Sequence, residues 1–264
     1  MAADAVSAQQ AQQMPFIKNL ASSDRKLRVE SLSSLQFFLS SRTSLTPLDA
    51  RKLWTGLYYA LWMTDRPRPQ QALASDLANL VHDLQDACVE TWFAAFWSVL
   101  GTQWPHIEAL RLDKFLLLVR RVFAAQVRVV KQRGYKGGDD VVEGVKRVLA
   151  GWCFDKEDEQ RVALGLRLHV LDVWVDELER EGALGDDDAV QEGNNDEDAR
   201  AFVEFVGGLV EGLKRCPVKS VRQRAGESHD DERLPWVEKK EGEEEDGDEE
   251  VGGDDDGEWG GIEN

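Results

Sequence analysis

The sequence has few of the residues from which catalytic and metal sites are built. Its 264 residues include only three cysteines and four histidines. Cys88, Cys153 and Cys216 lie more than sixty residues apart and form no Cys-x-x-Cys pair, which argues against a disulfide framework or a zinc site. None of the histidines has an obvious catalytic partner, and no Glu-x-x-His pair is present. We therefore predict no catalytic residue, no metal site and no cofactor.

Long apolar runs are absent as well. The longest, at 92–100, is about half as long as a membrane span, and no apolar signal segment opens the sequence. Runs of alternating apolar and polar residues bounded by hairpin turns, which would predict strands, are also missing. These absences predict a soluble, intracellular, all-α protein.

Charge is distributed unevenly along the chain. Residues 1–181 carry 23 basic and 23 acidic side chains, whereas 182–264 carry nine basic and 27 acidic ones, so the net charge of −18 lies in the last third. From Ala225 onward there are three basic and 18 acidic residues. Such self-repulsion, with so little apolar surface to bury, predicts a disordered acidic tail over 225–264. An Ala/Gln-rich leader over 1–13 is predicted to be flexible.

Helical periodicity dominates the sequence between these ends. It is clearest over 111–133, where apolar residues recur every three or four positions and Gly134 follows as a C-terminal cap. Thr46 and Pro47 have the types expected at an N-cap and a first helical position. Ser22 or Ser23 is expected to cap the first helix, and residues 64–70 are expected to form a turn. The predicted helices are 23–41, 47–63, 71–84, 86–100, 111–133, 139–151, 156–180 and 197–215.

Successive helices joined by short loops must bury their apolar stripes on one another. We therefore predict one helical-repeat domain over 14–224, with an acidic loop at 182–196. Antiparallel pairs of roughly forty residues suggest a HEAT-like α-solenoid. An irregular helical bundle would use the same stripes, and both architectures stay open at this point.

Two basic clusters are candidate surfaces for RNA phosphates or for an acidic partner. The first lies on the predicted helix 111–133 and just beyond it, where 111–136 has eight basic residues and one acidic residue. An exposed helix face that binds no ligand would explain these basic residues equally well. Its candidate residues are Lys114, Arg120, Arg121, Arg128, Lys131, Arg133 and Lys136.

The second basic cluster has no acidic residue within it. It could contact RNA, serve as a nuclear-import patch, or neutralise the acidic tail that follows. Its residues are Lys214, Arg215, Lys219, Arg222 and Arg224.

Two segments resemble those of a known family. Residues 57–67, reading LYYALWMTDRP, and 104–115, reading WPHIEALRLDKF, resemble the aromatic helix and the Arg-x-Asp-Lys-Phe segment of the ribosomal RNA processing protein 1 family. Thr64 and Arg66 stand where that family has serine and lysine. We expect the motif residues to be structural, since acids near helix starts and turns usually brace them. They are Trp62, Asp65, Pro67, Trp104, Asp113, Lys114 and Phe115.

The resemblance implies a nucleolar, non-catalytic scaffold required for processing ribosomal RNA precursors toward the large (60S) subunit. Its implied partners are pre-ribosomal assembly factors and ribosomal proteins, with direct contact to precursor RNA left open. A body of zero net charge suits protein binding better than general RNA binding. The alternative function is an acidic-tailed chaperone for histones or ribosomal proteins, with the tail as its active part.

Overall fold

The computed structural model describes residues 17, 19–156, 161–185 and 194–238. All regular structure in these ranges is helical, so the all-α prediction is confirmed. The predicted leader, 1–13, and the end of the predicted tail, 239–264, lie outside the described residues. Within the described ranges the α-helices are α1 (Arg25–Ser40), α2 (Pro47–Trp62), α3 (Pro67–Asn79), α4 (Asp86–Gln103), α5 (Leu112–Gln132), α6 (Asp140–Val148), α7 (Leu164–Arg180), α8 (Asn194–Leu213) and α9 (Lys219–His229).

Local chemistry sets most helix starts. Thr46 caps α2 by accepting from the Asp49 backbone N–H, and Pro47 is its first residue, as predicted. The cap of α1 is Asp24 rather than Ser22 or Ser23, because its carboxylate accepts from the Lys26 N–H at 2.8 Å. Helix α3 begins at Pro67, inside the predicted turn, since a proline is well tolerated in the first helical turn, where no N–H donor is needed.

Two boundaries near the gaps differ from the predictions. Helix α7 begins at Leu164, eight residues later than predicted, after a π-helical turn at Leu149–Cys153. Helix α8 begins at Asn194, inside the predicted acidic loop. The middle of the predicted loop, 186–193, lies outside the described residues.

The helices stack in two rows. Helices α2, α4 and α6 pack successively on one another, while α3, α5, α7 and α9 form the second row. From α2 to α5, and again at α7, each helix packs against the second one after it in the chain, as stacked antiparallel pairs do in a solenoid. The tryptophans mostly serve this stacking, because Trp54, Trp92, Trp97 and Trp174 are fully buried.

The chain remains folded well past the predicted start of the tail at Ala225, so that boundary is wrong. Helix α9 runs through this position and buries Ala225. Residues 230–238, called the latch here, then fold back on the C-terminal helices with Leu234 buried. The boundary was predicted from the acidic composition of the whole segment 225–264, which outweighed its few buried apolar side chains.

The latch is held by one aromatic and one guanidinium group. The Trp236 ring covers Gly207 of α8, and its Nε1–H donates to the His229 carbonyl at 3.0 Å. Arg233 bridges Asp176 at 3.1 Å and Glu179 at 2.7 Å, both on α7. The pKa of Arg233 is raised, chiefly by its hydrogen bond to Asp231. The latch thus covers the C-terminal end of the stack.

Gly207→Ala is expected to destabilise the protein, because the added methyl group would overlap the Trp236 ring. We expect the free energy of unfolding in urea to fall by about 1–3 kcal/mol, the usual cost of overpacking. Gly208→Ala is the matched control, since no atom lies within 4 Å of a methyl group there. The control should be stabilised by up to about 1 kcal/mol through helix propensity. Equal effects of the two substitutions would contradict the latch.

Candidate functional site

The two motif segments meet where α2 ends and α5 begins. The Lys114 ammonium donates hydrogen bonds to the backbone carbonyls of Trp62 at 2.7 Å and Thr64 at 2.9 Å. It also lies 3.8 Å from the Asp65 carboxylate, and only 3% of its side chain is exposed. The carbonyls at a helix C-terminus have no partner within the helix and attract a cation. Lys114 therefore fastens the end of α2 to α5.

Aromatic rings surround this contact. Phe115 stacks on Tyr58 with ring centroids 4.7 Å apart, and it also approaches Trp62 at 6.1 Å. The Arg111 guanidinium lies 4.9 Å from the centre of the Trp62 ring, a cation–π distance. We call this cluster the Trp62–Lys114 junction.

The buried position of Lys114 removes it from solvent. Burial lowers the pKa of its ammonium, and the nearby Asp65 carboxylate partly opposes that shift. Its hydrogen bonds are directed to backbone carbonyls, so no face of the ammonium is left for a phosphate. Lys114 was predicted from the sequence both as a candidate RNA contact and as a structural motif residue. Its buried position suits the structural role.

The other motif residues also occupy structural positions. Pro67 begins α3, and Asp113 lies in the first turn of α5 near its positive end. Trp104 follows α4, and its indole faces Gly165 of α7 so closely that a Cβ there would lie 2.9 Å from Nε1. The motif residues therefore join α2, α4, α5 and α7 rather than converge on a pocket.

The basic face of α5 is directed largely toward neighbouring helices. Arg120 pairs with Asp176 at 3.2 Å and with the buried Glu177. Arg128 binds both carboxylate oxygens of Glu181, at 2.6 and 3.0 Å. These contacts to α7 are called the α5–α7 seam.

Further contacts engage two of the four remaining cations of this cluster. The ammonium of Lys131 donates to the Glu181 carbonyl at 2.6 Å, and Arg133 pairs with Asp86 of α4. Arg121 is partly buried, and its Nε lacks a hydrogen-bond partner. Lys136 is exposed. Hydrogen bonds to Glu181 raise the pKa of Arg128, so this guanidinium stays charged at any ordinary pH.

The second basic cluster is divided between internal and exposed side chains. Arg222 donates to the carbonyls of Cys216 and Pro217, Arg224 pairs with Asp172, and Lys214 lies 3.2 Å from Asp230. Arg215 and Lys219 are exposed. Within the described part of the chain, no ion pair forms at Lys136, Arg215 or Lys219.

Sequence reasoning missed a third group of cations, at the N-terminal end. Residues 19–70 contain eight basic and four acidic side chains. Arg25, Lys52, Arg66 and Arg68 of this segment form no ion pair with any described residue. They are scattered over α1, α2 and the start of α3, so no helical wheel could gather them.

Groups for acid–base, nucleophilic or metal chemistry do not converge in the described residues. No three His, Cys, Asp or Glu side chains are placed there to hold a metal ion. The three cysteines are buried, and burial raises the pKa of the Cys153 thiol well above its usual range. Among the described helices, none combines the length and apolarity needed to cross a bilayer.

Comparison with known proteins bears on this arrangement. A family profile described as "Nucleolar protein, Nop52" matches residues 11–261. The chain is 30% identical over 186 residues to human Ribosomal RNA processing protein 1 homolog B, covering 66% of this chain and 23% of that protein. It is 29% identical over 177 residues to the mouse homolog A, covering 65% of this chain and 35% of the relative. It is 31% identical over 174 residues to the Drosophila melanogaster homolog, covering 64% of this chain and 25% of the relative. The similarity thus spans about a quarter to a third of these longer relatives.

Lys114→Met should lower the free energy of unfolding by about 2 kcal/mol, because the Trp62 carbonyl loses its donor in a buried place. Thr64 is less affected, since Gln70 also donates to its carbonyl at 2.7 Å. Lys136→Met is the control, and this exposed change should stay within about 0.5 kcal/mol of the parent. Urea titration followed by circular dichroism measures both. Indistinguishable variants would show that the junction contributes no stability.

Arg128→Gln should weaken the fold and leave RNA binding unchanged. Loss of the two hydrogen bonds to Glu181 is expected to cost about 1–2 kcal/mol, because the pair is partly shielded from solvent. Affinity for a structured ribosomal RNA fragment, measured by filter binding below the unfolding temperature, should stay within about twofold of the parent. A large loss of RNA affinity at unchanged stability would identify Arg128 as a phosphate contact instead.

Proposed function

The chain belongs to the nucleolar protein family Nop52, and from that membership we propose that it is a non-catalytic scaffold in the maturation of the large ribosomal subunit. The membership confirms the family and the nucleolar localisation that the two motif segments predicted. Curated relatives are named for ribosomal RNA processing. The proposal extends this role to processing of precursor RNA toward the 60S subunit, through binding of other assembly factors and ribosomal proteins.

The main support for the scaffold proposal is that the motif side chains point into the interior, between helices. Lys114, Phe115 and Trp62 point into a junction between helices, where no substrate has access. The residues that mark the family therefore maintain a fold, which favours the proposal that partners bind on the outer faces of the solenoid. Stacked helix pairs offer extended faces of this kind to several partners at once.

Contact with precursor RNA is proposed to be limited and local. Most of the predicted basic residues are engaged in ion pairs or with backbone carbonyls. Three of the predicted cations, Lys136, Arg215 and Lys219, are exposed and form no ion pair with any described residue, and they are the proposed phosphate contacts. With few such contacts, RNA affinity should be modest and should depend only weakly on salt.

The proposal predicts which molecules purify with the full chain from nuclear extract at moderate salt. Precursor RNA of the large subunit should be recovered together with other assembly factors, because a scaffold stays within the particle. The co-purifying RNAs and proteins would be identified by sequencing and mass spectrometry. Recovery of free histones or free ribosomal proteins without precursor RNA would contradict the scaffold and favour the acidic-tailed chaperone.

A truncation after Glu238 provides the control for the chaperone. This position preserves α9 and the latch, so the helical stack keeps its C-terminal cover. A scaffold should retain most of its recovered precursor RNA, whereas a chaperone acting through the tail should lose its basic partners.

A further inference from the structure

A groove lies on the outer face of α2. Helix α4 packs on one side of α2, and the groove lies between α2 and the described residues at the N-terminal end, Ile17 and 19–22. The groove has a volume of about 560 Å³. Its walls come from Ile17, Asn19, Ala21, Ser22, Gly56, Tyr59, Ala60 and Met63. We refer to it as the α2 groove.

The floor of the α2 groove is apolar and shallow. Gly56 and Ala60 are one helical turn apart and line its base, and both are buried. Tyr59 is partly exposed, and Met63 is 63% exposed. A methionine that exposed beside a groove favours binding of apolar side chains, because its flexible thioether adapts to their shape.

Positive charge surrounds the α2 groove. Lys52 precedes Gly56 by one turn on the same helix face, while Arg66 and Arg68 follow Met63. None of the three forms an ion pair within the described ranges. The local acids are partly engaged, since Asp49 pairs with Thr46 at the cap and Asp65 lies beside Lys114. An occupant should therefore combine apolar anchors with acidic neighbours.

A segment of this chain has that composition. Residues 239–264 contain 13 acidic and two basic side chains, and Trp259 and Ile262 stand three residues apart among them. We propose that the α2 groove binds this segment, with Trp259 and Ile262 against Tyr59 and Met63, the exposed part of its lining, and the acidic residues near Lys52 and Arg66. The proposal is independent of the scaffold function, which would hold with or without it.

The distance along the stack permits the contact within one molecule. Three steps between neighbouring helices lead from α8 to α2, which amounts to roughly 30 Å at 8–10 Å each. Twenty residues separate Glu238 from Trp259. A chain of that length spans at most roughly 70 Å. A tether of this kind gives an effective concentration on the order of millimolar, so a weak contact is enough for occupancy.

The proposed contact between residues 239–264 and the α2 groove would be reversible. An acidic, apolar segment of a partner could displace residues 239–264 once it binds more tightly than the tethered segment at its effective concentration. The contact should also weaken as salt screens the charges around the groove.

Photo-crosslinking in the full chain tests the proposal. Trp259→p-benzoyl-phenylalanine keeps an aromatic anchor, and mass spectrometry after irradiation of dilute protein locates its target. Crosslinks are expected within 56–63, on products of monomer size. Lys52→Glu with Arg66→Glu should reduce their yield at least about fivefold. Met63→Glu, at an exposed position, should do the same without altering thermal unfolding.

Arg215→Glu with Lys219→Glu is the matched control. These cations are exposed, unpaired among the described residues, and closer in sequence to the tail, so a purely electrostatic contact would prefer them. Their reversal should leave the 56–63 crosslink unchanged. Crosslinks near 215–219, crosslinks without a preferred site, products of dimer size, or no crosslink would each overturn the proposal. Recovery of precursor RNA from nuclear extract reports separately on the scaffold function.

Discussion

The stack depends on a buried ammonium at the end of a helix. Lys114 reaches from the first turn of α5 to carbonyls at the C-terminus of α2, where the helix leaves acceptors without partners. Taking a charge out of water is costly, and two short hydrogen bonds with a nearby carboxylate offset that cost. Because α2 and α5 belong to different rows, this side chain joins the two rows where α2 ends. The aromatic rings around it then exclude water and fix the spacing.

The α5–α7 seam shows how a basic helix can leave little charge for a ligand. The cations of α5 face Asp176, Glu177 and Glu181 on the helix that packs beside it. Charge therefore serves to align the two helices, and the surface left for RNA consists of a few isolated cations. This explains why the segment 111–136, with eight basic residues and one acidic residue, can belong to a body without net charge.

The sequence predicted the helix starts and helices that are set by residues close together in the chain. Thr46 and Pro47 start α2 and the apolar period of α5 gives a helix, because both signals are local. The partners of Lys114 were not predictable in this way, since they lie about fifty residues away and are backbone atoms. Helix α9 and the latch were missed for the opposite reason, because a strongly acidic composition outweighed a few apolar anchors such as Leu234 and Trp236.

Native-state hydrogen exchange of the full chain in increasing urea measures most directly whether the Trp62–Lys114 junction unites the two rows. If it does, the backbone amides of 58–62 and 115–119 should exchange through one shared opening, with the same free energy and urea dependence. Exchange of 58–62 through a separate opening of much lower free energy, with 115–119 still protected, would contradict the account.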